Sequence, residues 1–287
     1  MKRIQRVISM LLLALPGAFF GAAVWAAPLT PQRAGMGGAG RGGQAREGIA
    51  TNPATVAAVA GNLLAIHYGK PGLQDRAGGG RMWGMSVYDG QSTAVKAGVG
   101  SFRESRAADF RGQQIYVDRS EARLALARPI SGSVVGGVAG RYVTVRDADG
   151  ERKFADGDVG ILTPLFADIM LGLTWENVGG HQGEDPPMVG GGLAWTLSEG
   201  VSVRADGGRY LEGDRKGQTQ WQAGAEASMM GGLVGRLGLF SEPHRDRKGK
   251  SFGAGWVGPR ASFDWAMVLT TRGIREKTQI LGMTVAF

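Results

Sequence analysis

The chain has no cysteine and only three histidines, and past its first two dozen residues it has no long apolar run. Without cysteine there is no disulfide framework, no thiolate nucleophile and no thiolate metal site, so an exported chain of this kind must rely on burial or closure. The roughly 20 consecutive apolar residues that a spanning helix requires are missing beyond residue 26. His67, His181 and His244 lie far apart and no His-Glu-x-x-His run occurs, so no catalytic residue and no cofactor is assigned. The histidines are expected at the surface. Glu184-Asp185 beside His181 is too small an acidic group to define a metal site, so none is assigned.

Glycine, by contrast, is abundant: 50 of 287 residues, where average proteins carry roughly 7%. It follows no collagen period. Dispersed through alternating apolar segments, it fits strands that bend or pack closely against another backbone. At the N-terminus, Lys2, Arg3 and Arg6 precede a largely apolar stretch from Val7 to Val24, and Ala23-Val24-Trp25-Ala26 offers small residues for cleavage. Residues 1–26 therefore read as an export signal. Its removal takes three bases and no acids, leaving 30 bases against 25 acids, a net of +5.

From residue 61 to 287 the chain reads as short segments of alternating apolarity. In the last, Leu281, Met283, Val285 and Phe287 share one face and Ile280, Gly282, Thr284 and Ala286 the other. Such period-two alternation marks a strand between two unlike media. Phe263, Trp265, Met267 and Leu269 repeat it against Ser262, Asp264, Ala266 and Val268. Fourteen segments follow this rule, at 62–70, 81–89, 92–103, 120–129, 133–146, 156–163, 168–176, 188–196, 201–210, 219–228, 233–240, 251–258, 261–271 and 278–287. Odd-to-even links read as longer and charged, among them Glu104–Arg119, Asp147–Ala155 and Ser241–Lys250, whereas even-to-odd links such as Gly90-Gln91 are tight. Short turns at one end and longer loops at the other are the mark of a membrane barrel with both ends in the periplasm. The fold expected is all-β: an antiparallel transmembrane β-barrel of about fourteen strands in the bacterial outer membrane, with twelve as the alternative. Outer-membrane lipid surrounds such a barrel.

Residues 27–60 differ. They are rich in Gly and Ala, and Asn52 can cap a short helical turn with Pro53 at its first position. This segment is expected to sit inside the barrel as a hatch.

Alternation turns Arg123, Arg204, Asp206, Glu226, Arg236 and Asp264 away from lipid. Since an Arg or Lys facing the bilayer midplane costs roughly 2–4 kcal/mol, the lumen is their expected home. There they form either a polar path or an ion-pair lattice. The basic stretches Arg245–Lys250 and Arg272–Lys277 lack interleaved aromatics and suit lipopolysaccharide phosphates, not nucleic acid. Leu281, Met283, Val285 and Phe287 form the terminal pattern expected to engage the barrel-insertion machinery.

Gly35–Gly40, Asn52-Pro53-Ala54 and the strand stretches Trp83–Asp89, Leu124–Pro129 and Leu171–Asn177 resemble the FadL-like outer-membrane barrels and their PorV-like relatives. The FadL branch implies diffusion of hydrophobic molecules, with Asn52, Pro53 and Ala54 in the hatch. The PorV branch implies a non-conducting partner of secretion or attachment proteins.

Overall fold

In the computed structural model of the chain, residues 30–43, 49–73, 79–92, 94–110, 113–147, 149–180, 186–243, 246–272 and 275–287 are described. The export signal at 1–26 lies outside them, as do His181, Glu184, Asp185, His244 and Arg245. Fourteen strands form one closed antiparallel barrel in strict sequence order: β1 Leu63–Leu73, β2 Gly80–Asp89, β3 Lys96–Phe110, β4 Gln113–Ser131, β5 Val134–Asp147, β6 Gly150–Phe166 and β7 Ile169–Glu176 make its first half. The second half is β8 Met188–Ser198, β9 Val201–Tyr210, β10 Thr219–Ser228, β11 Leu233–Glu242, β12 Arg247–Val257, β13 Ala261–Arg272 and β14 Glu276–Ala286. The expected all-β, fourteen-stranded class is borne out, and the twelve-stranded alternative is set aside.

Closure runs through β1 and β14, which pair in continuous register from Leu63↔Ala286 to Leu73↔Glu276. Hydrocarbon offers backbone N–H and C=O groups no partner, so a spanning sheet must close on itself. The backbone N–H of Phe287 extends the seam by donating to the carbonyl of Asn62 at 3.1 Å.

Each strand divides its side chains between two media. On β1, Ile66 and Tyr68 are exposed on the outer wall while Leu63 and His67 are buried inside. On β13, Phe263 faces out and Ser262, Asp264, Ala266 and Val268 face in. Exposed aromatics gather at two levels. Phe166, Trp195, Trp256, Phe263 and Phe287 lie near the end that holds the β1 start and the β14 end, and Tyr68, Trp83, Tyr142, Trp175 and Trp221 lie toward the other. Aromatic girdles bounding an apolar band mark the two interfaces of a membrane barrel. Trp256 stacks on Phe263 with ring centroids 6.2 Å apart and donates its indole N–H to the carbonyl of Gly231 at 3.1 Å.

Three sequence expectations need correction. The charged stretches Glu104–Arg119 and Asp147–Ala155 are not loops: β3 and β4 pair out to Phe110↔Gln113, and β5 and β6 out to Asp147↔Gly150. Beyond the membrane edge the outer face of a hairpin meets water, so charge there carries no signal against a strand. For the same reason, Lys248 and Lys250 belong to β12, and Glu276 and Lys277 to β14. The difference between outer and inner connections therefore lies mostly in projecting hairpins. Finally, His67 is buried in the lumen, not at the surface, with its ring centroid 5.8 Å from that of Phe102.

Because the seam must close for the barrel to exist, deleting Phe287 is expected to lower the amount of folded barrel per cell, whereas removing the turn Gly213–Arg215, none of whose residues is buried, leaves it unchanged. Heat-modifiable gel migration of outer-membrane extracts measures both. The opposite ranking would contradict the closure argument.

Candidate functional site: a plugged lumen

The barrel encloses the start of its own described chain. A short helix, α1 (Pro31–Gly35), lies against β11 to β14, and a 3-10 turn, Pro53–Ala58, lies against β3 to β6. Each begins with a capping side chain and a proline. Thr30 Oγ1 accepts from the Arg33 N–H at 3.4 Å, and Asn52 Oδ1 accepts from the Ala54 N–H at 3.0 Å. Proline at the first position sacrifices no hydrogen bond there.

The plug fits because the wall offers glycine where it passes. A Cβ on Gly172 of β7 would stand 1.9 Å from the carbonyl oxygen of Arg41, and one on Gly238 of β11 would stand 2.1 Å from the nitrogen of Gly37. No side chain can occupy those positions while the plug's backbone remains where it is. Gly137, Gly160, Gly192, Gly224 and Gly282 meet the plug in the same way from other strands. Much of the unusual glycine content thus has a specific task.

Polar contacts then fix the plug in place. Asp206 Oδ2 on β9 accepts from the N–H groups of Gly40 and Arg41 at 2.7 and 2.9 Å. Arg41 donates through Nε to Glu176 Oε1 at 2.7 Å and to Thr174 Oγ1 at 3.2 Å. Burial works against the Arg41 charge, but Glu176 and Asp206 overcome it and raise its pKa above the ordinary arginine value. Asn52, besides its cap, donates to the carbonyls of Arg41 at 2.9 Å and Ile161 at 3.0 Å, tying the two halves of the plug to each other and to β6. Ser251 accepts from the Gly37 N–H at 2.9 Å and donates to the Gly35 carbonyl at 3.0 Å. Gly249-Lys250-Ser251-Phe252-Gly253 has the Gly-x-Ser-x-Gly spacing of a serine nucleophile elbow. Here it lies within a strand with its serine committed to the plug, whereas a nucleophile elbow needs a strand-to-helix turn.

The six charges that alternation turned inward all line the interior, in three places. Arg236, Glu226 and Asp264 meet on the periplasmic side of the plug, with Arg236 Nε 2.6 Å from Glu226 and Nη1 2.7 Å from Asp264. Asp206 holds the plug, and Arg204, also buried, packs beside Gly43. Arg123 donates to the carbonyl of Ile49 at 3.1 Å, lies 3.4 Å from Asp158 and pairs with Glu121. These charges fall in separate ion-pair clusters, and the interior holds further buried pairs that were not singled out from sequence. Among them, Arg141 pairs with Asp156 at 3.3 Å, and Arg247 reaches Glu242 at 3.4 Å and Glu276 at 3.6 Å. Alternation along β5 could have revealed Arg141. Arg41 lies in a segment without periodicity and gave no such signal.

On the outer side of the plug lies a cavity of about 100 Å³ whose floor includes Arg33, Ala34, Arg41 and Thr51. Beyond it, toward the mouth, Val117, Val143, Val145 and Phe154 form a buried apolar cluster on the inner faces of β4, β5 and β6. Val117 and Phe154 come from stretches expected to be loops. Met170, Val234 and Phe240 are apolar residues on inward-facing positions, and Phe240 lines the cavity.

A closed even-stranded barrel with an apolar exterior, a charged lumen and a chain segment packed inside it has the architecture of an outer-membrane β-barrel. Solved structures of that class match it along nearly their whole length. The CymD monoaromatic hydrocarbon channel gives a TM-score of 0.76 at 14% identity, over 90% of this chain and 97% of that one. The toluene transporter TbuX of Ralstonia pickettii gives 0.73 at 13%, over 91% and 99%. A FadL homologue of Pseudomonas aeruginosa gives 0.66 at 10%, over 90% and 98%. The resemblance to FadL-like barrels is thus borne out as a likeness of fold. No family model matches the sequence, and no curated protein matches it.

Replacing Gly172 by Ala is expected to displace the plug and raise steady ion current through the barrel in planar bilayers. Gly140→Ala serves as control, since a Cβ there meets nothing within 4 Å. Equal currents from the two variants would show that the close approach at Gly172 does not hold the plug.

Proposed function

We propose that this protein is an outer-membrane channel that passes small molecules with a hydrophobic body, by passive diffusion past a displaceable plug. The observation that carries this reading is the plug itself, seated in a barrel that shares its fold with channels described as carrying toluene and other monoaromatic hydrocarbons. The apolar cluster Val117, Val143, Val145 and Phe154 supports it, because it offers a hydrophobic molecule a dry surface near the outer mouth. The neighbours are named as channels and transporters, and the lumen charges are committed to ion pairs instead of a nucleophile–base arrangement.

A second reading has its own support. The density of ion pairs around the plug would suit a sealed barrel that serves as a PorV-like structural or attachment subunit for secretion-system proteins. On either reading, the terminal residues Leu281, Met283, Val285 and Phe287 would engage the insertion machinery. The basic outer ends of β12 and β14 would lie near lipopolysaccharide phosphates.

Uptake of a labelled monoaromatic hydrocarbon by cells expressing the protein separates the readings. Passage predicts uptake above that of cells lacking the protein, reduced several-fold by Val143→Asp, which puts a charge into the apolar cluster. Unchanged uptake, together with stoichiometric recovery of a protein partner from outer membranes, would favour the sealed subunit.

A further inference from the structure

Across the cavity above the plug, two walls of unlike chemistry face each other. β13 stands seven places from β6 in the ring of fourteen strands, so Val268 on β13 and Phe240 on β11 lie across the lumen from Arg123 on β4 and Asp158 on β6. Among the lining residues there are seven arginines and four carboxylates. Three more carboxylates, Asp156, Asp206 and Glu276, stand behind and pair with lining arginines. The net charge is therefore nearly balanced, but the hydrogen-bonding capacity is not, since a guanidinium carries five N–H donors in a fixed fork.

Two of those donors have no hydrogen-bond partner among the described residues. Arg41 Nη1 is buried and stands 3.8 Å from Asp206 Oδ2, beyond hydrogen-bond reach. Arg247 Nε is likewise unmatched, and its guanidinium carbon sits 5.0 Å from the Phe240 ring centroid, on β12 between the strands that carry Phe240 and Val268.

From this arrangement we infer that the cavity is a binding site for a small aryl carboxylate. Its ring packs on Phe240 and Val268, and its carboxylate accepts from Arg41 and Arg247. The inference rests on the passage reading above and sharpens it: among small molecules with a hydrophobic body, the cavity favours an amphipathic anion over a neutral hydrocarbon. A carboxylate supplies acceptor lone pairs for charge-assisted bonds to arginine, whereas a hydrocarbon would leave those donors buried and unmatched, at a cost. Two acceptors, Gln222 Oε1 and Asp206 Oδ1, are also unmatched, but a cation bound to them would leave both arginine donors unmatched and add positive charge beside them.

Three probes of one shape decide it: benzoate, benzamide and benzamidinium, titrated by calorimetry onto the mature protein in lipid nanodiscs. Benzoate is expected to bind at least about tenfold more tightly than benzamide, a difference of roughly 1.4 kcal/mol, and benzamidinium most weakly. Arg247→Gln should erase the preference for benzoate while benzamide binding stays the same. Arg146→Gln, at the exposed outer end of β5, should change neither. Benzamide or benzamidinium binding as tightly as benzoate in the parent protein would overturn the inference, as would a benzoate preference that survives Arg247→Gln in a folded barrel. If hydrocarbon uptake persists in that event, the passage reading stands and only the assignment of an anionic cargo falls. If benzoate binds as expected but nothing is taken up, the reverse holds.

Discussion

The unbroken ladder from Leu63↔Ala286 to Leu73↔Glu276 joins the first strand to the last and leaves the sheet without an edge. In hydrocarbon this is a condition of existence, because an unpaired backbone group costs several kcal/mol there and a spanning strand has many. Once the sheet closes, every strand has an outside in lipid and an inside away from it, and the side chains sort accordingly. Arg236 and Asp264 enter the lumen because lipid excludes them, and they then neutralise one another at 2.7 Å. Ion pairs buried this way add little net stability, since desolvation offsets their attraction, but removing one partner leaves a stranded charge. These clusters are better understood as a constraint on what may occupy the lumen than as a source of stability.

The plug meets that constraint with backbone as well as side chains. Its N–H groups at Gly40 and Arg41 satisfy Asp206, and its carbonyl at Ile49 satisfies Arg123. Wall and plug are thus matched at two levels: glycine on the wall for approach, and charge on the wall for the plug's polar backbone. Passage of a molecule requires some of these contacts to open, and each involves a charged group, so each is worth roughly 1.5–3 kcal/mol. On the proposed passage, a gate with several such bonds stays shut at rest.

Most of the barrel was legible in the sequence because the membrane imposes two-residue alternation on each strand. Fourteen segments emerged, and Leu281 against Ile280 gave the inside and outside of the last one. The Asn52-Pro53 start of the 3-10 turn was legible for a local reason, a capping side chain followed by a residue with no N–H to satisfy. The outer halves of β3 to β6 were hidden because beyond the bilayer the alternation rule lapses, so Val117 and Phe154 were read as loop residues. His67 was misplaced although Leu63, Ala65 and His67 alternate with Leu64, Ile66 and Tyr68. The role of Arg41 follows only from three dimensions, since its partners Glu176 and Asp206 lie more than a hundred residues away.

The absence of native cysteine allows a direct test of the plug as the element that closes the lumen. Ala34 in α1 and Ala266 on β13 pack in the same buried cluster, so cysteines at both positions should join on oxidation in intact outer membranes. The account predicts that the oxidised barrel stops taking up labelled cargo and that reduction restores uptake. An oxidised barrel that takes up cargo at the parent rate would contradict it.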